Sequence, residues 1–483
     1  MTPGPVQAGK WHVLGTVGVG TFVSALNASM MNLAVPFIGA HFQARMSVAE
    51  WIIMAYLLAI STLLLVFGRL GDTYGFRKVY LVGTAVFTAG SVLCGFAPSV
   101  HYLIAFRVLQ GLGAAMVMAV GPAVLTAAFP PRERGKALGL LGVFVALALA
   151  SGPTLGGLLL KYAGWEFIFF INGPLGVLLM VWSWLVLAPT PRSPQRFDLP
   201  GAVTLFLALG ALLLALSHGA EWGWSSGPIR ALLLTAALFF PLFVWRELTC
   251  PAPMMELRLF KNRLFSAATT SAVCNFIVQY MVVFLLPFYF KEVLRLDAAR
   301  AGVLLSTFPL VILVVAPLSG TLSDRIGSRG LSSFGMAVSA VSLVLLSRLG
   351  PDSDWPEIVW PLVLLGLGNG IFQSPNSSAL MGSVPRTHLG VAGGMLATAR
   401  NGGMVLGVAL AGAVFNHRLP VHLAATGSGT AEAAHLAFAA ALHDTMLVGV
   451  SIALLGMATS LVRGAPAGRP APRPAPERPR TDQ

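Results

Sequence analysis

Runs of about 20 apolar residues recur along almost the whole chain, and at 1.5 Å per residue each is long enough to cross a roughly 30 Å hydrocarbon slab. Lipid offers no partner to a backbone N–H or C=O, so such runs are expected to be helices. Hydropathy places them at about 12–39, 47–67, 79–97, 102–129, 136–160, 165–187, 200–217, 228–248, 264–290, 299–320, 331–349, 357–382, 389–415 and 443–462. With 56% hydrophobic and only 10% charged residues, the chain is an all-α integral membrane protein rather than a soluble domain.

The loop after the second run reads Gly68-Arg-Leu-Gly-Asp72-Thr-Tyr-Gly75-Phe-Arg77-Lys78. A second copy, Gly320-Thr-Leu-Ser-Asp324-Arg325-Ile-Gly327-Ser-Arg329, stands 252 positions later. Six helices with loops at about 32 residues each account for roughly 192 positions, and two more helices for about 60. The offset therefore predicts two six-helix halves, 12–187 and 264–462, separated by a linker of 188–263 that carries an extra helix pair.

Charge fixes the expected orientation, because Lys and Arg stay on the cytoplasmic side. About 21 of them fall on the side of both termini and both repeated loops, against about 8 on the other side. Both ends are thus expected in the cytoplasm of a cell whose inner membrane the chain spans. The net charge of +13 is mostly topological, and nucleic-acid binding has no basic soluble face to use. The start, 1–11, lacks a small-residue cleavage site, so helix one is expected to be retained. The Pro-, Ala- and Arg-rich stretch 463–483 is expected to be a disordered tail. The connection from His417 to His443 reads as a loop with a short surface helix. Three cysteines, Cys94, Cys250 and Cys274, form neither a disulfide framework nor a metal site, and no cofactor is expected.

Several polar features stand out inside the spans. Arg107, in Arg107-Val-Leu-Gln110-Gly-Leu-Gly113, lies within the fourth helix, where a cation is costly and usually faces a cavity or a partner. Arg400 is the second embedded cation. Helix five carries Ser151-Gly152-Pro153-Thr-Leu-Gly156-Gly157, a bend with small residues that let a neighbour approach closely.

The duplicated Gly-x-x-x-Asp-x-x-Gly-x-Arg loop resembles that of the major facilitator superfamily of transporters. Arg107 and the Gly-Pro helix follow in the order seen there. The resemblance covers almost the whole chain and includes Leu26-Asn27-Ala-Ser-Met-Met31-Asn32-Leu-Ala-Val-Pro36, Trp51, Tyr56 and Ile171-Asn172-Gly-Pro174. With about fourteen helices it narrows to the drug:proton antiporters that carry an inserted pair. It implies that Asp72, Arg77 and Lys78, with Asp324, Arg325 and Arg329, form gating loops that hold the halves together in one state. It further implies that Arg107 serves coupling and that Gly152, Pro153, Gly156 and Gly157 are an export signature. The chain departs from the pattern at Thr73 and Phe76, and at Asn27, where these exporters have an aspartate. An amide cannot titrate, so coupling is expected either to be absent or to use a carboxylate nearer a helix end, such as Glu50 or Glu166.

Substrate sites in such folds lie near the midplane between the halves. The candidates are Asn27, Met31 and Asn32 in helix one, Gln279, Tyr280 and Phe284 in the first helix of the second half, Gln373 and Asn376 further on, and Arg400. With embedded cations and no acid opposite them, the cavity should favour neutral or anionic amphiphiles. A membrane enzyme finds no nucleophile–base pair here. The expected protein is a monomeric secondary transporter that exports small organic molecules by alternating access, its partners being that substrate and the bilayer, with protons added only where another carboxylate provides coupling. A metabolite importer, or a non-transporting sensor or scaffold of the same fold, is the alternative.

Overall fold

The computed structural model describes residues 9–130, 133–189, 198–251, 253, 257–384, 389–426 and 430–463, with backbone alone at 65, 69, 72, 134–136, 199, 220, 324 and 389–392. Among these residues there are helices and no strands. Fourteen helices are long and apolar enough to span a membrane. They are α1 (Lys10–His41), α2 (Met46–Leu64), α3 (Phe76–Gly95), α4 (Val100–Ala128), α5 (Ala137–Tyr162), α6 (Phe167–Val186), α7 (Pro200–Gly219), α8 (Gly227–Thr249), α9 (Arg263–Val293), α10 (Ala298–Ser323), α11 (Ser328–Leu346), α12 (Trp355–Gly382), α13 (Gly393–Thr426) and α14 (Ala431–Leu461). Helices α1–α6 form one bundle and α9–α14 the other, with α7 and α8 inserted between them. Leu178, Trp184, Leu234, Trp245, Leu318 and Trp360 are more than half exposed, as side chains facing lipid should be.

Both repeated loops turn on one device. The helix that continues from α2 ends at Tyr74, and Gly75, at φ 95°, hands the chain to α3. Ile326 ends the helix of α10, and Gly327, at φ 88°, starts α11. Only glycine enters this left-handed extended region without strain, which accounts for the motif's glycine in each half. These loops mark one end of the molecule, the loop end; the other is the far end.

Two elements differ from the sequence reading. Helix α13 runs on to Thr426 and the last helix begins at Ala431, so most of His417 to His443 is helix. Amphipathic turns beyond the apolar stretch are held there by Arg418 and His422, which both meet Asp444 Oδ2, at 2.5 and 2.8 Å. Arg463, expected to open a disordered tail, is buried: its guanidinium donates to Ser332 and Ser460 hydroxyls and to Asn376 Oδ1. Residues 464–483 lie outside the described set.

The halves meet most tightly at the far end. There Gly157 of α5 lies against the Ala298 backbone of α10, and Gly302 of α10 lies against the Pro153 carbonyl. The Thr154 and Ser306 hydroxyls stand 2.8 Å apart, and Lys291 donates to the Pro36 carbonyl of α1 at 2.7 Å. Lys161 and Asp297 close the rim at 3.0 Å. The backbone N–H of Arg300 and then Lys161 hold the Asp297 carboxyl below its ordinary value, so the pair persists above that lowered value and is lost as pH falls through it. An exposed pair contributes little. Lys161→Gln should therefore change the transport rate less than about fivefold, and a larger loss in a vesicle assay would make this pair a principal latch.

Candidate functional site

Between the halves lies a cavity of about 720 Å³. Its wall reaches Gly139 of α5, Pro317 of α10, Ser377 of α12 and Gly393 of α13, all toward the loop end, and stops at Pro153 and Leu305. Helix α5 records this asymmetry along its length. A Cβ at Gly139 or Gly142 would meet open space, whereas one at Gly152 would strike Ser29 and one at Gly156 would press on Met30. Small residues thus seal the far end while the loop end stands open.

The wall is mostly apolar and aromatic, with Phe276, Phe308 and Phe372 among its rings. Polar groups converge on it from both halves: Asn32 of α1, Gln279 and Tyr280 of α9, Gln373 and Asn376 of α12, and Arg400 and Asn401 of α13. Tyr280 interacts with both Asn32 and Arg400. Buried polar groups normally find partners, yet Arg400 Nε, Asn401 Nδ2 and Gln279 Oε1 have none in the protein. These two donors and one acceptor are themselves buried beside the cavity, so the residues that carry them stand at its wall with hydrogen-bonding capacity left over. Arg400 is the one ionised side chain of the described lining, and no carboxylate stands opposite it.

Six sequence candidates, Asn32, Gln279, Tyr280, Gln373, Asn376 and Arg400, therefore line the cavity together. Three do not. Met31 and Phe284 are packed in the core, because their faces of α1 and α9 turn toward neighbouring helices; the stripe through Phe284 ends in an edge-to-face contact with Phe288 at 5.3 Å. Asn27 lies behind the wall, bound to Arg107.

Arg107 is likewise fully buried behind the wall. Its Nε donates to the Ile52 carbonyl of α2 at 2.9 Å, and one terminal nitrogen donates to Asn27 Oδ1 at 2.8 Å and to Gln110 Oε1 at 2.6 Å. Gln110 Nε2 passes the chain to Ser91 Oγ of α3, which also receives Asn172 Nδ2 of α6, each at 2.9 Å. The guanidinium lies 4.2 Å from the ring centre of Tyr56, a wall residue, so Arg107 reaches the cavity only through that ring. One cation thus ties α1, α2, α3, α4 and α6 into a single polar network. Ser91, Gln110 and Asn172 were not expected as its members. Gln110 and Asn172 stand in motifs quoted above without this role, and the signal for Ser91 is a polar residue inside an apolar span.

Of the loop residues, Arg77 donates to the Trp184 carbonyl within its own half at 2.6 Å. Lys78, Arg325 and Arg329 are exposed. The Asp72 and Asp324 side chains lie outside the described set.

A model of the Major Facilitator Superfamily matches residues 17–408. The riboflavin transporter RibZ of Clostridioides difficile is 36% identical over 414 residues, covering 85% of this chain and 89% of that one. The tetracenomycin C resistance and export protein of Streptomyces glaucescens is 34% identical, covering 86% and 78%. The methylenomycin A resistance protein of Bacillus subtilis is 30% identical, covering 89% and 91%. Among solved structures, a bacterial homolog of the human lysosomal transporter Spinster superposes with a TM-score of 0.69 at 15% identity, covering 94% and 96%, and so shares the fold. The helical architecture, the paired loops and these matches agree: this chain belongs to the major facilitator superfamily of membrane transporters.

Proposed function

We propose that the protein exports small planar organic molecules, neutral or anionic, across the inner membrane by alternating access. The observation that carries this reading is the cavity, whose aromatic wall bears amides and one arginine with unpartnered groups and no acid in its described lining. Aromatic faces bind planar rings, the amides and Arg400 select a polar or acidic edge, and an uncompensated cation repels organic cations. The names of the antibiotic-resistance and export relatives support an outward direction. The Lys and Arg bias supports cytoplasmic termini, which makes the open loop end the cytoplasmic face and this state inward-facing. Rocking of 12–187 against 264–462 about the cavity then delivers substrate to the far side, with the paired loops and the α5 glycines as the two gates. Position 27 holds an amide that serves Arg107, so any proton coupling runs through another residue.

Transport into inside-out vesicles tests the reading with three probes: riboflavin, an aromatic carboxylate and a lipophilic cation. The first two should accumulate and the cation should not. Arg400→Gln should weaken the carboxylate about tenfold to 100-fold, the worth of a charged hydrogen bond, and riboflavin less. Cation transport, or flux only into right-side-out vesicles, would sink the proposal. Binding without flux in either orientation would favour a sensor.

A further inference from the structure

Glu50 stands at the start of α2 near the far end, where α2 meets the inserted α7 and α13 of the second half. It is fully buried. One carboxyl oxygen contacts the Ser217 hydroxyl of α7. The other has no hydrogen-bond partner and lies against Gly412 of α13, where even a methyl group would overlap it. Asp198, another buried acid, is matched by Arg246 at 3.0 Å. No described cation does this for Glu50.

The described charged and titratable groups on the surrounding elements are bound elsewhere or exposed; on α4, Arg107 is held by Ile52, Asn27 and Gln110, and His101 is exposed. Arg45, just before α2, pairs with Glu221 beyond α7. His218 of α7 stacks on Trp222 and lies 3.5 Å from Glu221. On α13, Arg418 is bound to Asp444, and His417 is exposed. On α1, His41 packs edge-on against Phe42.

The hydrogens around Ser217 can be counted. The Trp51 indole N–H donates to its oxygen at 3.1 Å, and the Ser47 carbonyl, which can only accept, lies 3.0 Å away. A hydroxyl has a single hydrogen to give. If Ser47 receives it, the contact with Glu50 is a hydrogen bond only when Glu50 brings a hydrogen of its own. In the ionised alternative, one oxygen of a buried charge faces Gly412 with no donor, a heavily penalised arrangement.

We propose that Glu50 is a proton-binding site, loaded when α13 closes over it as here and emptied to far-end water when the halves part there. The partly exposed Glu221 stands close by, accepting at 2.9 Å from the hydroxyl of Ser47, the residue whose carbonyl meets Ser217. The closed form then holds one more proton than the open form. Lower pH at the far end favours closure, and the open-to-closed ratio changes by up to about tenfold per pH unit. The inserted pair, through Ser217, thereby contributes a pH-sensitive check on the far gate. The site acts on the gate and not on the cavity, so it does not depend on which molecule is carried.

The test is a spin-label distance between Tyr162 and His417, both exposed at the far end of opposite halves, in the full chain in lipid discs with its three cysteines replaced by alanine. In the parent protein, the open population should rise with pH, by up to about tenfold per unit. Glu50→Gln, neutral at every pH, should stay closed with that dependence gone. Ser217→Ala should weaken the dependence and His218→Gln should keep it. Glu50→Asp, a second variant in case the amide does not fold, should keep the dependence with a displaced midpoint. A parent protein without pH dependence, an unchanged slope in Glu50→Gln, an unmoved midpoint in Glu50→Asp, or loss of the slope in His218→Gln would each overturn the assignment. The distance requires no substrate, so its outcome stands apart from the export reading.

Discussion

Replacing Arg107 with alanine should abolish transport while leaving the protein in the membrane. Insertion is driven by apolar length, which the substitution improves. The network is another matter, because Asn27 Oδ1 and Gln110 Oε1 would lose their donor inside the bundle, at about 1–3 kcal/mol each. A loss of about 3 kcal/mol in the preference for the working arrangement corresponds to roughly 100-fold in rate. Tyr56 would also lose the cation behind its ring, so the wall itself should loosen. Lys at this position keeps the charge but cannot serve Ile52, Asn27 and Gln110 from one planar fork, and should recover only part of the rate. Efflux from vesicles, normalised to inserted protein, decides the matter. Parental rates from a well-inserted Arg107→Ala protein would mean that the cation is merely tolerated.

The second large effect is expected at the far-end seal. Gly157→Ala places a carbon on the Ala298 carbonyl, and Gly302→Ala does the same to the Pro153 carbonyl. In both cases the obstacle is backbone and cannot swing aside. Overpacking of this kind costs about 1–3 kcal/mol, here charged only to the closed state, so the open-to-closed ratio should shift by about fivefold to 100-fold. The proper comparison is Gly142→Ala, which adds the same methyl and the same helix propensity into open space. A cysteine at Ala146, on the cavity wall, should become reactive to an impermeant maleimide from the far side in the first two variants and remain protected in the third. Equal protection in all three would show that the glycines do not form the gate.

Spans, pairing of the halves and the inserted helices were legible because lipid permits so few backbone solutions that apolar length alone nearly dictates them. The site was legible in part. Polar residues at 32, 279, 280, 373, 376 and 400 interrupt apolar runs, and all six stand on the cavity wall. Met31 and Phe284 failed because a membrane helix is apolar on every face, so periodicity does not tell wall from core. Asn27 reads in isolation as a missing acid. In the fold its oxygen accepts from Arg107 while its nitrogen points to the Ile168 carbonyl at 3.4 Å, a donation no carboxylate could make. Arg463 was read with the tail it begins, since nothing local announces Ser332 and Asn376, which lie 131 and 87 positions away.

The placement of α7 has a consequence for traffic through the bilayer. A two-bundle transporter has two side seams, here α2 against α13 and α5 against α10. Helix α7 packs on both α2 and α13 and carries α8 on its outer side, and the crevice left among Leu58, Leu213 and Val405 has room for about 10 Å³. That flank is shuttered to lipid. The α5 and α10 flank has no such cover among the described residues, and toward the loop end its Gly139 and Gly142 face open space. Both glycines line the cavity, so on the export reading an amphiphile dissolved in the leaflet would meet one uncovered flank and not two, and the inserted pair would make the molecule one-handed in how it is fed from the membrane.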